Sequence, residues 1–144
     1  EQKNKYKIYI SPLTQLNIDD HNRIHTSDIR KLRRMVRDNN FRGYSASDTL
    51  NAWKSIRQGE EKYVFPFQDE ADVVINSSLL YEIGILKLYA EPLLFSVKED
   101  EGCYTEAIRL INFLRNFLAI PSENVPKDSV LREFIGGSCY YEKN

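Results

Sequence analysis

The sequence has little of what would give it a covalent framework, a membrane span or a strong electric field. It contains two cysteines, Cys103 and Cys139, without the CxxC or cysteine–histidine spacing of a zinc site. No apolar run approaches the roughly 20 residues that cross a bilayer. Twenty Lys and Arg stand against 21 Asp and Glu, a formal net charge of -1. We therefore expect a cytoplasmic protein with reduced thiols, without membrane or general nucleic-acid attraction.

Glycine and histidine are also scarce, with six and two residues respectively. None of the six glycines is followed by another five residues later, so the chain has no GxxxxGK[ST] phosphate loop. His21 and His25 lie in one polar stretch with Arg23 between them. We expect solvated side chains there rather than a bound metal, although carboxylates stand close by at Asp19, Asp20 and Asp28. No Ser/His/Asp or Cys/His nucleophile is recognisable.

Two short segments have strand character. The alternating, β-branched run Tyr6–Ile10 predicts a strand, and the mostly apolar run Ala71–Ile75 predicts a buried one. The polar segment Ser11–Ser27 between them predicts a long loop. Because helices separate the two segments, we expect a parallel βαβ-type arrangement in a helix-rich α/β fold.

Helical periodicity fills most of the remaining chain. We expect a helix from Asp28 to Gly43, then a second begun by a Ser45–Asp48 capping box and ended by Gly59. That second helix carries Leu50, Trp53 and Ile56 at helical spacing, and we expect these side chains to face the protein core. Three later helices are predicted: Leu79–Ala90 before Pro92, Thr105–Ala119 with Ile108, Ile111, Leu114 and Leu118 on one apolar face, and Ser129–Ile135 before Gly136 and Gly137.

A stripe of arginines is the most informative chemical feature. Within Asp28–Tyr44 six basic residues stand against two acidic ones: Arg30, Lys31, Arg33, Arg34, Arg37 and Arg42 against Asp28 and Asp38. Guanidinium groups at helical spacing suit an oligophosphate, because each can donate charge-assisted hydrogen bonds to phosphate oxygens. The alternative is a solvated face paired with the acidic segment 60–72. From the stripe alone, both interpretations stay open.

Three segments together resemble the uridine kinase and phosphoribulokinase group of P-loop kinases. They are KIYIS, DIRKLRRMVRDNNFRG and FPFQDEADVVINSSL. The middle one resembles that group's lid helix, D-x-R-x-x-R-R-x-x-R-D-x-x-x-R-G, and ADVVI resembles a following strand. Longer phrases, among them LTQLNIDDHNRI, RQGEEKYVFPFQ and LREFIGGS, resemble a bacterial uridine-kinase-like subgroup whose members often carry a TGS-type N-terminal region.

The resemblance implies that residues 1–144 are the C-terminal part of a kinase of P-loop fold. Residues 1–78 would hold a strand, a loop, the lid helices and the last strand, and residues 79–144 would be a helical extension. The phosphate loop, the catalytic carboxylate and further strands would belong to a preceding part. We therefore expect no catalytic residue in this chain, which alone would be inactive, and we expect its uncovered strand edge to promote self-association.

The resemblance also implies roles for individual residues. Arg34 would reach the nucleoside side of the cleft, whereas Arg37 and Arg42 would face the ATP phosphates. Arg30 and Arg33 would contribute to the lid or anchor it to the body. Two positions depart from ordinary uridine kinases: Tyr44, on the nucleoside side, replaces a second arginine, and Ala52 replaces a nucleoside-contacting glutamine.

The function implied is transfer of the ATP γ-phosphoryl group, with Mg²⁺, to the 5′-hydroxyl of a nucleoside in the complete protein. The alternative is a non-catalytic regulatory module that binds oligophosphate or RNA and derives from a kinase. Two observations count against RNA: no aromatic residues interleave with the arginine stripe, and the whole chain is nearly neutral.

Overall fold

The computed structural model describes residues 5–141. The first four and last three residues, which our two-part division of the chain includes, lie outside the described residues. Within them the chain is α/β, with five helices and two strands, as predicted. In chain order the elements are β1 (Ile8–Ser11), α1 (Thr26–Arg42), α2 (Ala46–Tyr63), a 3-10 turn (Phe65–Phe67), β2 (Val73–Asn76), α3 (Glu82–Phe95), α4 (Tyr104–Leu114) and α5 (Arg132–Ile135).

The two strands pair in parallel, as predicted, with Ile8 opposite Val73 and Ser11 opposite Asn76. Each strand begins and ends slightly later than the sequence pattern indicated. The expectation that the second strand is buried is wrong, because Val74 and Ile75 are each nearly half exposed. A sheet of two strands has two open edges, and the described residues do not cover these side chains.

Helix α1 is central to the core. Its residues Ile29, Leu32, Met35 and Val36 are essentially inaccessible to solvent. The helix ends at Gly43, whose φ of 69° is a left-handed conformation that glycine adopts without steric cost. This end was predicted correctly.

Helix α2 begins as predicted and ends later. Ser45 and Asp48 form the reciprocal capping box. The prediction that Gly59 ends the helix is wrong, because α2 continues to Tyr63. A glycine inside a helix costs only about 1 kcal/mol, which the ion pairs of its neighbours Arg57 and Glu60 can offset.

Helix α3 starts at Glu82 and contains Pro92, so both predicted bounds are wrong. The Glu82 carboxylate accepts a hydrogen bond from the backbone N–H of Leu79, which holds Leu79 ahead of the helix. Pro92 lies on the exposed side, where water can bind the carbonyl group that its missing N–H leaves free. A solvated proline therefore does not end this helix.

Helix α4 ends at Leu114, earlier than predicted, because side chains take over the carbonyl groups of its last turn. The Lys87 ammonium donates to the carbonyl oxygens of Leu114 and Phe117, and the Asn116 amide donates to that of Phe113. Leu118 therefore leaves the predicted apolar face and is 88% exposed. The chain then crosses α3, where the N–H of Ile120 donates to the carbonyl of Gly84.

The short helix α5 covers only the last turn of the predicted Ser129–Ile135 helix and ends at Gly136. It packs against α1, where the Asn40 amide donates to the carbonyl oxygen of Phe134 at 2.9 Å. Cys103 is buried and Cys139 exposed, and neither forms a disulfide, as expected. Within residues 5–141, no helix has the length and apolar character needed to span a membrane.

Candidate functional site

Three of the predicted arginines converge on one carboxylate near the C-terminal end of α1. Asp38, which is almost fully buried, lies 3.2 Å from Arg34, 3.0 Å from Arg37 and 3.1 Å from Arg42. The three guanidinium groups are only partly buried. One negative charge thus faces three positive ones, and this end of α1 keeps an excess of positive charge that solvent and ligands can reach.

Arg33 has a different environment from these three. Its guanidinium forms a buried ion pair with Glu82 at 2.6 Å and donates to the Ser77 carbonyl oxygen at 2.7 Å. The Phe134 ring lies 5.1 Å away, within cation–π distance. Arg33 therefore connects α1 to the loop between β2 and α3, and its hydrogen-bonding capacity is largely used within the protein.

Arg30 connects α1 to α2. Its guanidinium donates two hydrogen bonds to one oxygen of Glu60, Oε1, and makes a long contact of 3.5 Å with the Ser11 hydroxyl. The other Glu60 oxygen, Oε2, is buried without a hydrogen-bond partner among the described residues. The sequence identified Glu60 only as a member of the acidic segment 60–72. The Arg30–Glu60 contact is an ion pair between that segment and the arginine stripe.

Four of the arginines line one cleft between α1, α2 and α5. Its volume is about 190 Å³, and it is bounded by Pro12, Arg30, Arg33, Arg34, Arg37, Trp53, Glu60, Glu133 and Phe134. We call it the arginine cleft. Trp53 was predicted as core, but it is only half-buried and forms one wall, with the Lys31 ammonium 5.2 Å from its ring centre. The cleft therefore combines guanidinium donors, an aromatic face and the Glu60 carboxylate.

Two further clefts place Arg34 and Tyr44 apart from Arg37 and Arg42. Arg34 also borders a cleft of about 430 Å³, lined by Arg34, Asp38, Tyr44, Asp48, Thr49 and Ala52. Arg37 and Arg42 border another of about 390 Å³, lined by Arg37, Phe41, Arg42, Glu133 and Tyr141. Arg34 thus lies beside Tyr44 and Ala52, whereas Arg37 and Arg42 share a different space. The predicted set divides between two sides of α1.

Sequence reasoning assigned no organising role to the residues that hold the arginines in place. Asp38 lies four residues after Arg34 and four before Arg42, a spacing that favours ion pairs on one helix face and could have identified it. Glu133 and Phe134 carried no such signal, because only tertiary packing brings α5 to α1. The same is true of Glu82, which was expected simply within a helix.

A second ionic cluster holds α1 to α4. The Arg109 guanidinium binds both oxygens of Asp28, at 2.6 and 3.0 Å, and also binds Glu106 at 2.7 Å. Lys31 forms an ion pair with Glu106 as well. Hydrogen bonds from Arg109, supported by Lys31, lower the pKa of Glu106 to about 2, and the two carboxylates raise the pKa of Arg109. This cluster steadies the part of α1 that precedes the arginine cleft.

The described part of the chain offers hydrogen-bond donors for anions rather than ligands for a metal ion. Within residues 5–141, no group of three or more His, Cys, Asp or Glu side chains has an arrangement that could hold a metal ion. His25 lines a separate cleft together with Asp19 and Asp28. The Asp19 carboxylate already accepts hydrogen bonds from the backbone N–H groups of His21 and Asn22. Those hydrogen bonds, led by the Asn22 side chain, lower the pKa of Asp19.

Comparison with known proteins gives one similarity, which covers part of the chain. No curated protein and no solved structure matches this chain. A family model does match the part of the chain that contains α1, α2 and β2, including the five arginines described above. Residues 23–82, less than half of the chain, are similar to the Phosphoribulokinase / Uridine kinase family.

Proposed function

We propose that this chain is the lid-bearing C-terminal portion of a bacterial, cytoplasmic, ATP-dependent uridine-like kinase. In the complete protein the γ-phosphoryl group of ATP would pass to the 5′-hydroxyl of a nucleoside. The observation that carries this proposal is the group of three partly exposed arginines around the single carboxylate of Asp38. The family similarity of residues 23–82, the segment that contains these arginines, supports a nucleotide kinase-like function.

The charge arrangement suits phosphoryl transfer for a physical reason. Catalysis of this reaction consists mostly of positioning and of neutralising charge on phosphate oxygens. Arg37 and Arg42 share one side of α1, where they would bind ATP phosphates, and Arg34 lies beside Tyr44 and Ala52, where the nucleoside would bind. Asp38 holds the three guanidinium groups together at a cost of only one negative charge, so the cluster stays cationic.

The guanidinium groups can donate hydrogen bonds to the phosphate oxygens of ATP, but the residues described near them offer few free oxygen ligands for Mg²⁺. Mg²⁺ takes oxygen ligands in a near-octahedral arrangement. Asp38 and Glu60 are already bound to guanidinium groups, and among residues 5–141 no three His, Cys, Asp or Glu side chains are grouped so as to hold a metal ion. Ligands for Mg²⁺ would therefore come from a preceding kinase part, together with the phosphate loop. This chain's own residues would bind and orient phosphates and exclude water from them.

The experiment uses pyrophosphate as a probe of the arginine group and Trp53, the chain's one tryptophan, as the fluorescent reporter. Pyrophosphate should change Trp53 fluorescence with a saturable dependence on concentration. The double variant Arg34→Ala with Arg37→Ala should bind it at least about tenfold more weakly, since charge-assisted hydrogen bonds are lost. Arg57→Ala, which removes an exposed arginine paired with Glu61, is the matched control and should bind normally.

A second assay addresses the kinase assignment directly. Because this chain has no phosphate loop, it should not phosphorylate uridine in the presence of ATP and Mg²⁺. Phosphorylation of uridine by these 144 residues would contradict the fragment proposal. Equal pyrophosphate binding by the double variant would contradict the phosphate-binding role given to Arg37. RNA affinity that falls steeply with salt and depends on the same arginines would instead support the RNA-binding alternative.

We also propose that the exposed side of the two-stranded sheet is the surface that a preceding kinase part would cover. Ile8, Ile10 and Ile75 lie on one face of the sheet and are each between 45% and 62% exposed. Parallel sheets normally have both faces covered. In isolation this chain would bury the same surface by self-association.

A further inference from the structure

We propose that Tyr141 is a gate over the phosphate-binding side of α1. In the closed position, which this structure shows, Tyr141 lines the cleft that Arg37 and Arg42 share. A phosphorylated ligand binds these arginines when the ring has moved aside into a neighbouring cleft. This inference rests on the proposed function, because it assumes that Arg37 and Arg42 bind phosphate. It adds a conformational step that controls access to them.

The first observation is that Tyr141 belongs to two adjoining clefts. One is the cleft of about 390 Å³ that contains Arg37 and Arg42. The other, which we call the Val130 cleft, has a volume of about 290 Å³ and is lined by Asp128, Ser129, Val130, Glu133, Ser138, Tyr140 and Tyr141. Because Glu133 and Tyr141 belong to both linings, the two clefts meet at these residues. The Tyr141 ring therefore has space on either side.

The second observation is that the two clefts suit different occupants. In the cleft of Arg37 and Arg42, the aromatic residues Phe41 and Tyr141 share the wall with two guanidinium groups. Both aromatic residues are more than half exposed, so core packing does not fix them. The Val130 cleft offers the ring an apolar contact, because Val130 is 39% exposed. Movement of the ring would bury apolar surface there and leave the guanidinium donors to phosphate oxygens.

The third observation is the freedom of the backbone that leads to Tyr141. Gly136 and Gly137 have φ values of 89° and 76°, which glycine adopts without steric cost. A Cβ atom at Gly136 would meet no atom within 4 Å apart from its chain neighbours, so packing does not confine this position. The N–H of Cys139 then donates to the carbonyl oxygen of Lys127 at 2.9 Å. Tyr141 lies two residues beyond this hydrogen bond, and its ring can change position while the bond stays in place.

The first test measures pyrophosphate affinity by calorimetry on the 144-residue chain. A ligand that binds only the open state has an apparent affinity reduced by the fraction of molecules in that state. Tyr141→Ala removes the ring and should bind pyrophosphate at least about threefold more tightly than the wild type. Tyr141→Phe keeps the ring and should bind as the wild type does. Tyr140→Ala is the matched control, because Tyr140 is an exposed tyrosine that lines the Val130 cleft but not the cleft of Arg37 and Arg42.

The second test follows the ring itself by fluorine NMR of the chain labelled with 3-fluorotyrosine. The signal of Tyr141 is identified by its absence from Tyr141→Phe. Saturation with pyrophosphate should shift this signal and produce a fluorine–proton Overhauser effect between Tyr141 and the methyl groups of Val130. The signal of Tyr63, an exposed tyrosine at the end of α2, should stay unchanged.

The outcomes separate the gate from the proposed function. Equal or weaker binding of pyrophosphate by Tyr141→Ala would overturn the gate, and so would equal tightening in Tyr140→Ala. A Tyr141 ring that stays away from Val130 in the bound state would also overturn it. Each of these results leaves the proposed function standing, because the wild type still binds pyrophosphate. Absence of binding by both the wild type and Tyr141→Ala would overturn phosphate binding by Arg37 and Arg42, and with it the proposed function.

Discussion

The guanidinium of Arg33 lies 2.6 Å from the carboxylate of Glu82, and both side chains are at least 93% buried. The pair joins the middle of α1 to the first turn of α3. The same carboxylate accepts hydrogen bonds from the Ser78 hydroxyl and the Leu79 N–H, so it organises the connection between β2 and α3. This ion pair positions the face of α1 that carries the arginine cleft.

Removal of one partner of this pair should destabilise the protein strongly. In Arg33→Met the Glu82 charge stays buried without its main partner, and we expect a loss of about 3–5 kcal/mol in the free energy of unfolding. Urea unfolding followed by circular dichroism measures it. The matched control is Arg57→Met at an exposed ion pair, where the loss should stay below about 1 kcal/mol. Equal losses in the two variants would show that the Arg33–Glu82 pair has no special role.

Two helical glycines should respond to alanine in opposite directions. At Gly84 a Cβ atom would lie 2.7 Å from the backbone oxygen of Leu118, and backbone cannot easily move aside, so Gly84→Ala should lose about 1–3 kcal/mol. At Gly59 an added Cβ atom would meet no atom within 4 Å apart from its chain neighbours and its own helix backbone, so Gly59→Ala should gain about 0.5–1 kcal/mol. Thermal unfolding of both variants tests the difference. A stable Gly84→Ala variant would contradict the close approach of the segment after α4.

Glu106 should give the protein an identifiable acid sensitivity. Hydrogen bonds from Arg109 lower its pKa from 4.5 to about 2 in the folded state. A depressed folded-state pKa stabilises the protein above the unfolded value and loses this effect as the pH falls through the folded value. The stability difference between wild type and Glu106→Gln should therefore be full above about pH 4.5, shrink below it and vanish near pH 2. Urea unfolding across this range measures it, and a difference that does not change with pH would contradict the prediction.

Self-association should depend on the exposed strand residues. Ile10 is 62% exposed on β1, so Ile10→Lys should lower the tendency of the chain to associate. Sedimentation velocity over a range of concentrations measures this. Ile18→Lys, at an exposed position in the loop after β1, is the control and should associate as the wild type does. A wild type that stays monomeric at high concentration would contradict the proposal.

The sequence predicted the local features of the fold well, because their determinants lie within a few residues. Gly43 needs only its own left-handed backbone to end α1, and the Ser45–Asp48 box needs only its own turn. The predictions that α2 ends at Gly59 and that α3 ends before Pro92 were based on local helix propensity. Both are wrong, because contacts and solvent exposure outweigh that propensity. The parallel pairing of the strands was predicted correctly from their separation by helices.

The candidate site could be predicted only in part. The arginines were recognisable from their spacing, whereas their partners depend on elements distant in sequence. Arg33 pairs with Glu82, which lies 49 residues later in the sequence. Asn40 donates a hydrogen bond to the carbonyl oxygen of Phe134, which lies 94 residues later. Trp53 has the spacing of a core residue, yet it forms a cleft wall because α1 and α5 leave a gap beside it. No periodicity within one helix contains this information.

The pairing of β1 with β2 has a consequence for how the chain folds. Lys7 and Asp72, which adjoin the paired strands, are 65 residues apart, so closing the sheet carries the entropy cost of a long loop. Turns of α1 and α2 close over only a few residues and can form before the strands meet. We therefore expect β1 and β2 to pair after α1 and α2 have formed. In native-state hydrogen exchange the amide protons of the two strands should be released by smaller openings than those of the buried turns of α1.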